Sequence, residues 1–206
     1  MKPLVLHGFR YFSLMKNLFF ALFFITLIIF GCTSHHPQVL IKTELGDITL
    51  ELYPDKAPVT ANNFLQYIRE NRLKEATFYR TVTMDNQAEN NIKIEVIQGG
   101  LFEDNHPKAL SPIKHETTEL TGILHKDGVI SMARNEPGTA TCEFFICIGD
   151  QPSLDYGGKR NPDGQGFATF GKVIKGMDVV HKIHESKADG QWLEPRIEIK
   201  TIKLVK

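Results

Sequence analysis

The sequence predicts a mainly β fold, an antiparallel sheet closed or nearly closed into a barrel and covered by two helices. Three observations predict it. Short apolar stretches with period-two alternation recur along the chain, separated by Gly, Pro, Asn and Asp clusters, which is the pattern of many short strands. Only two segments have helical spacing. No repeat, low-complexity tract or linker divides the body, and closing one sheet removes the edges that so many strands would otherwise expose.

The elements follow in order. Ile48, Leu50 and Leu52 alternate with Thr49 and Glu51 as a half-buried strand, and residues 39–43 ahead of Gly46-Asp47 supply its hairpin partner. Pro54 and Pro58 end that strand. From Ala57, the residues Ala61, Phe64, Leu65 and Ile68 fall on one helical face, and Pro58 suits the first turn. Strands are then expected at 77–82, 92–98, 128–133, 144–148 and 167–173, with a second helix at 177–184. Ile197, Ile199, Ile202 and Leu204 alternate but slip phase near Thr201, the mark of a bulge or a barrel corner. Residues 84–91 and 157–166 read as long polar loops.

The 206 residues carry 24 basic and 24 acidic side chains. That balance leaves no positive surplus for a phosphate backbone and argues against a nucleic-acid binder. Residues 1–31 hold Lys2, Arg10 and Lys16 and no acid, so the remainder is mildly acidic. Within them, residues 18–30 form an apolar run of 13, LFFALFFITLIIF, too short for a bilayer core that needs roughly 20. A basic flank, a short apolar run and a small residue before the cut make residues 1–31 a secretory signal, with Met15 as an alternative start.

Ile29-Phe30-Gly31-Cys32 resembles the bacterial lipobox, in which the Cys is acylated and becomes the mature N-terminus. The alternative is an uncleaved membrane anchor with Cys32 a bystander. Cys32 is therefore the expected lipidation site, residues 32–38 a lipidated Cys and polar tether, and residues 39–206 the folded domain. Acyl chains would hold that domain to a membrane in the bacterial cell envelope, on the periplasmic side. Thr33 stands where an Asp often retains bacterial lipoproteins at the inner membrane. His35 and His36 fall in the tether and are expected to be solvated. Cys142 and Cys147, five residues apart on an extended segment, point to opposite faces and should not bridge.

The body lacks a G-x-S-x-G elbow, a P-loop, a G-x-G-x-x-G and a C-x-x-C, the usual marks of covalent, nucleotide or redox chemistry. What it has is polar groups set among apolar strand residues. Arg80 follows Phe78 by two, Gln98 precedes Gly99-Gly100, and Phe145 lies in Glu143-Phe144-Phe145-Ile146. Period two puts Phe78 with Arg80, and Glu143 with Phe145, on one face. An Arg and a Gln offer donors to peptide carbonyls, and a ring lines an apolar pocket. The plain alternative is a surface Arg, a strand-end Gln and a core Phe. His181 and His184, at i and i+3, are two ligands without a third, so no metal is expected. Cys142 has no activating base and reads as a buried thiol.

Ala57-Pro58-Val59-Thr60-Ala61-Asn62-Asn63-Phe64, Phe78-Tyr79-Arg80, Ile97-Gln98-Gly99-Gly100, Gly128-Val129-Ile130-Ser131-Met132-Ala133-Arg134, Glu143-Phe144-Phe145-Ile146 and Phe170-Gly171-Lys172-Val173 stand in the order and spacing of the cyclophilins, which the chain resembles over 39–206. The resemblance implies a closed eight-stranded antiparallel barrel capped by two helices. It also implies peptidyl-prolyl cis/trans isomerase activity on proline-containing polypeptides, with no cofactor. By the same resemblance Arg80 is the catalytic donor, Phe145 the floor of the proline pocket, and Gln98 the holder of a substrate carbonyl. Ala133 and Arg134 match the strand that pairs with the peptide, and Leu154 a pocket wall.

Departures from the family are specific. About ten extra residues separate Arg80 from Gln98, and 156–166 is a further insertion. Glu95 stands where Phe is common and Val96 where Met is, so a less apolar pocket is expected. Glu143 replaces a frequent Gln and is placed to pair with Arg80, orient it, or compete with substrate. Phe167 replaces a His or Tyr. Ser153 replaces a Trp, which argues against strong binding of a cyclosporin-type ligand. The functional alternatives to an envelope isomerase are a catalytically weak peptide-binding module or holdase, and a structural lipoprotein.

Overall fold

The computed structural model describes residues 36–103 and 106–205. The expected signal segment and Cys32 lie outside them. Among the described residues ten strands, β1 Gln38–Thr43, β2 Gly46–Leu52, β3 Thr77–Val82, β4 Val96–Gly100, β5 Val129–Met132, β6 Phe144–Cys147, β7 Ala168–Lys175, β8 Ala188–Asp189, β9 Trp192–Glu198 and β10 Thr201–Leu204, form one antiparallel sheet. Among the described residues two full helices, α1 Pro58–Arg69 and α3 Met177–His184, accompany it, with a single turn α2 at Thr118–Thr121.

The strand order β10-β1-β2-β7-β5-β6-β4-β3-β9-β8 corrects the expected architecture. The sheet has ten strands rather than eight, and it is not closed into a barrel. Its edges are β10 and β8. The cause lies in the last stretch of chain: β9 pairs with β3 at one end of the ladder and β10 with β1 at the other. Only Ile199 and Lys200 intervene, so chain continuity links the two ends where a hydrogen-bonded ladder would have closed them. The phase slip near Thr201 marks this change of partner.

Helix α1 buries Ala61, Phe64, Leu65 and Ile68 as its spacing requires, with the Phe64 ring 5.4 Å from Phe144 and 5.1 Å from Phe170. Its first turn has no capping side chain of its own. The buried Glu116 carboxylate serves instead, accepting from the Val59 and Thr60 amides at 3.1 and 2.8 Å and from the Thr60 hydroxyl at 2.7 Å. Amides at a helix start lack internal partners and favour an anion. Helix α3 is held by its buried face and by the buried His184, its Nε2 3.0 Å from the Val82 carbonyl. His36 likewise is not a free tether residue: its ring packs edge-on to Tyr53, and Nε2 lies 3.0 Å from Asp55 Oδ1.

Two apolar clusters lie on opposite faces of the sheet. The larger, with Phe64, Tyr67, Phe78, Phe144 and Phe170, is the core under the helices. The smaller gathers Val82, Ile94, Val96, Phe145, Cys147 and Leu154, with Ala133 and Phe167 against it. Adjacent residues therefore serve different clusters: Phe144 faces the core and Phe145 the outer cluster. Cys142 and Cys147 divide in the same way, both as free buried thiols.

Candidate active site

The site is built along one row of cross-strand neighbours. Trp192 of β9 pairs with Arg80 of β3, Arg80 with Gln98 of β4, Gln98 with Phe145 of β6, and Phe145 with Ser131 of β5. Neighbouring strands lie almost 5 Å apart, so Arg80 and Phe145 stand about 10 Å apart in the backbone with Gln98 between them. A single cleft along this row is lined by Arg80, Gln98, Phe145, Val96, Ala133, Arg134, Glu143, Leu154 and Phe167, and also by Tyr79, Ile94 and Phe102.

Strand β3 departs from the expected alternation. A register shift between Phe78 and Arg80 sends Phe78 into the main core, while Tyr79 and Arg80 both face the cleft. A bulge of this kind re-aims side chains at strand positions where alternation would hide them. Strand β4 also starts later than the 92–98 expected, at Val96. Before it, the side chain of Gln87 takes a neighbouring strand's place, donating to the Ile94 carbonyl at 2.7 Å and accepting from the Ile94 amide at 3.2 Å.

Arg80 is half-buried and held by amides. Its Nη1 donates to Gln98 Oε1 at 2.8 Å, and its Nε and Nη2 donate to Gln191 Oε1 at 2.9 and 2.6 Å. Among the described residues no carboxylate pairs with it. Burial pushes its pKa down from the ordinary value, yet a guanidinium starts so high that it stays charged. These three bonds leave one N–H on each terminal nitrogen for a further acceptor.

Glu143 does not pair with Arg80. It accepts from the Tyr79 hydroxyl at 2.5 Å and the Phe102 amide at 3.0 Å, while Gln98 Nε2 donates to the Tyr79 oxygen at 2.7 Å. Burial pushes the Glu143 carboxyl pKa up, and burial together with Glu143 pushes the Tyr79 phenol up. Tyr79 is thus a fixed donor. The glycine pair after Gln98 now has a cause: Gly100 has φ +150°, and a Cβ there would come within 2.5 Å of the Glu143 carboxyl carbon.

Phe145 floors the apolar end. Its ring stacks on His125, with centroids 5.8 Å apart, and meets Phe167 edge-on at 5.3 Å. His125 in turn contacts Asp155 Oδ1 through Nδ1 at 2.7 Å and Ser131 Oγ through Nε2 at 3.0 Å. The order Ser, His, Asp is that of a hydrolytic triad, but Ser131 is 0% exposed, so the arrangement is a scaffold beneath the ring. Burial lowers the His125 pKa, partly opposed by Asp155.

Glu95 lies off the cleft, and Ile94 and Val96 line it. Ala133 and Arg134 follow the end of β5, and the Ala133 amide is already committed to the Glu143 carbonyl at 2.8 Å. The Arg134 guanidinium is occupied too, forked onto Asp163 at 2.8 and 3.0 Å and bound to the Gly166 carbonyl. It lies 5.1 Å from the Phe167 ring centroid and so tethers the 157–166 loop to the pocket wall. Among the described residues no cluster of three or more His, Cys, Asp or Glu is placed to hold a metal.

Comparison with known proteins identifies the family. Residues 38–204 match the family described as cyclophilin type peptidyl-prolyl cis-trans isomerase/CLD. A peptidyl-prolyl cis-trans isomerase of Acinetobacter baylyi is 34% identical over 171 residues, 82% of this chain and 82% of that protein. Peptidyl-prolyl cis-trans isomerase B of Escherichia coli is 36% identical over 149 residues, 71% of this chain and 83% of that protein. Among solved structures, a Cryptosporidium parvum cyclophilin type isomerase, crystallised in the presence of the dipeptide Ala-Pro, aligns over 82% of this chain and 99% of that chain. Its TM-score of 0.65 at 24% identity is a likeness of fold. With the family match spanning the whole sheet and two relatives above 30% identity, the chain belongs to the cyclophilin-type peptidyl-prolyl cis-trans isomerases.

Proposed function

We propose that this isomerase accelerates X-Pro rotation by presenting the Arg80 guanidinium to the proline nitrogen as the amide leaves planarity. Twisting a peptide bond opposes a barrier of about 18–20 kcal/mol because it breaks resonance, and uncatalysed X-Pro bonds take tens to hundreds of seconds. Near the perpendicular state the proline nitrogen recovers a lone pair and accepts a hydrogen bond that neither planar form accepts. A donor aimed there binds the transition state better than either ground state. The proline ring would sit over Phe145 between Val96, Leu154 and Phe167, and the second N–H of the Gln98 amide would hold a substrate carbonyl.

The observation that carries this reading is the company Arg80 keeps. Two amide oxygens orient the guanidinium without neutralising it, in a row that ends at the apolar Phe145 recess. Glu143, bound to Tyr79 and Phe102, does not quench it. The same reading extends to place. The signal pattern of residues 1–31 and Ile29-Phe30-Gly31-Cys32 supports export, lipid attachment at Cys32, and action on proline-containing secreted or envelope polypeptides.

A protease-coupled proline-peptide assay on residues 36–206 tests the mechanism. Arg80→Ala should lower kcat/KM by on the order of 10²–10³-fold, the range for removing one donor to a developing charge. Equal rates for the two proteins would overturn it.

A further inference from the structure

Gln191 lies in the turn between β8 and β9, far from Arg80 in sequence, and its side chain is fixed at both ends. Its Oε1 accepts from Arg80 Nε at 2.9 Å and Nη2 at 2.6 Å, and its Nε2 donates to the Asn86 carbonyl at 2.9 Å. Because a carbonyl takes the amide nitrogen, the oxygen must face the guanidinium. The backbone is tied as well: the Thr81 amide donates to the Gln191 carbonyl at 2.9 Å, directly beside Arg80.

Asn86 belongs to the 84–91 loop, which lengthens the chain between Arg80 and Gln98, and the loop is anchored at several points. Asn86 Nδ2 donates to the Thr81 and Gly190 carbonyls at 3.0 and 3.1 Å, and Asn86 Oδ1 accepts from the Thr83 amide at 2.8 Å. The next residue, Gln87, is 3% exposed. It donates to the Thr83 carbonyl at 2.6 Å and accepts from Arg160 Nη1 at 2.9 Å.

From these contacts, and resting on the Arg80 mechanism above, we propose that Gln191, locked by the Asn86 carbonyl, is a positioning residue that sets the plane of the Arg80 guanidinium while leaving its charge whole. The 84–91 loop thereby acts as a brace for catalysis. A neutral amide matters here because a carboxylate at the same point would offset the charge offered to the proline nitrogen and would lack the N–H that the Asn86 carbonyl holds.

The test compares Gln191→Ala, Gln191→Glu, Arg80→Ala and the Arg80→Ala/Gln191→Ala double variant of residues 36–206, measuring kcat, KM and thermal midpoint for one proline peptide. Gln191→Ala should lower kcat about 10- to 100-fold, as a misplaced catalytic group does, with KM within about twofold. Gln191→Glu, which keeps an acceptor for Arg80 but offsets its charge and loses the N–H held by Asn86, should also lose kcat with KM within about twofold. In the Arg80→Ala background, Gln191→Ala should have no further effect. Parental kcat in Gln191→Ala or in Gln191→Glu, or losses that multiply in the double variant, would overturn the brace while leaving the Arg80 mechanism intact. Parental activity in Arg80→Ala would overturn that mechanism, and the brace with it.

Discussion

His125 shows how one buried side chain ties the site to the stability of the fold. It is 1% exposed, stacked under Phe145, and its pKa is lowered by burial. The unfolded chain therefore binds a proton that the folded chain refuses, and stability must rise with pH across that interval. His125 contributes fully above its ordinary value of 6.5, and the contribution is lost as pH falls through the depressed folded value. Urea unfolding of residues 36–206 between pH 5 and 8 should show this slope, and His125→Gln should flatten it. An unchanged slope in the variant would remove His125 from the account. Protonation would also add charge beneath the ring that floors the apolar recess proposed for the proline ring, so acid should weaken that recess before it touches Arg80.

At the scale of elements, the start of α1 depends on a carboxylate from a distant loop. Glu116→Ala strands two helix-start amides and the buried Thr60 hydroxyl. Hydrogen bonds to a charged group are worth about 1.5–3 kcal/mol net, so the variant should lose roughly 2–3 kcal/mol in denaturant unfolding. A loss under about 0.5 kcal/mol would mean that water replaces the carboxylate at little cost.

Elements of this kind also mark the limit of what was legible in advance. The β1–β2 hairpin, α1 and α3 could be read because each buries one regular face, and regular burial leaves a period in the sequence. The β3 bulge could not, because it breaks the period at Tyr79, the residue that joins Gln98 to Glu143. The strand read at 92–98 began too early for a related reason: the backbone partner of Ile94 is the Gln87 side chain, so the ladder starts only at Val96. The expectation of a closed eight-stranded barrel failed at the end of the chain, where β9 and β10 look like one alternating strand with a slip but attach to opposite ends of the sheet. That Arg80, Gln98 and Phe145 line one cleft was legible through motif resemblance. Gln191 and His125 were not, since each acts through contacts made only in three dimensions.

Across the whole molecule, one sheet separates stability from chemistry. Its inner face carries the large core under α1 and α3, and its outer face carries the small cluster around Phe145. The near-continuous apolar run Phe144–Cys147 is needed because both faces are covered there. We propose that residues 1–31 decide where this sheet works in the cell. Full-length chain expressed in a bacterium with labelled palmitate should incorporate label, and Cys32→Ala should abolish it. Equal labelling of the two would contradict lipid attachment at Cys32.

The central claim is that Arg80 favours the twisted amide over both planar forms. NMR exchange spectroscopy on an X-Pro peptide at equilibrium measures this most directly, because it gives both rotation rates and, by titration, the peptide Kd. The account predicts that Arg80→Ala slows cis-to-trans and trans-to-cis rotation of bound peptide by the same factor, on the order of 10²–10³, with Kd changed less than about threefold. Unchanged exchange of bound peptide, or a loss explained wholly by weaker binding, would contradict it.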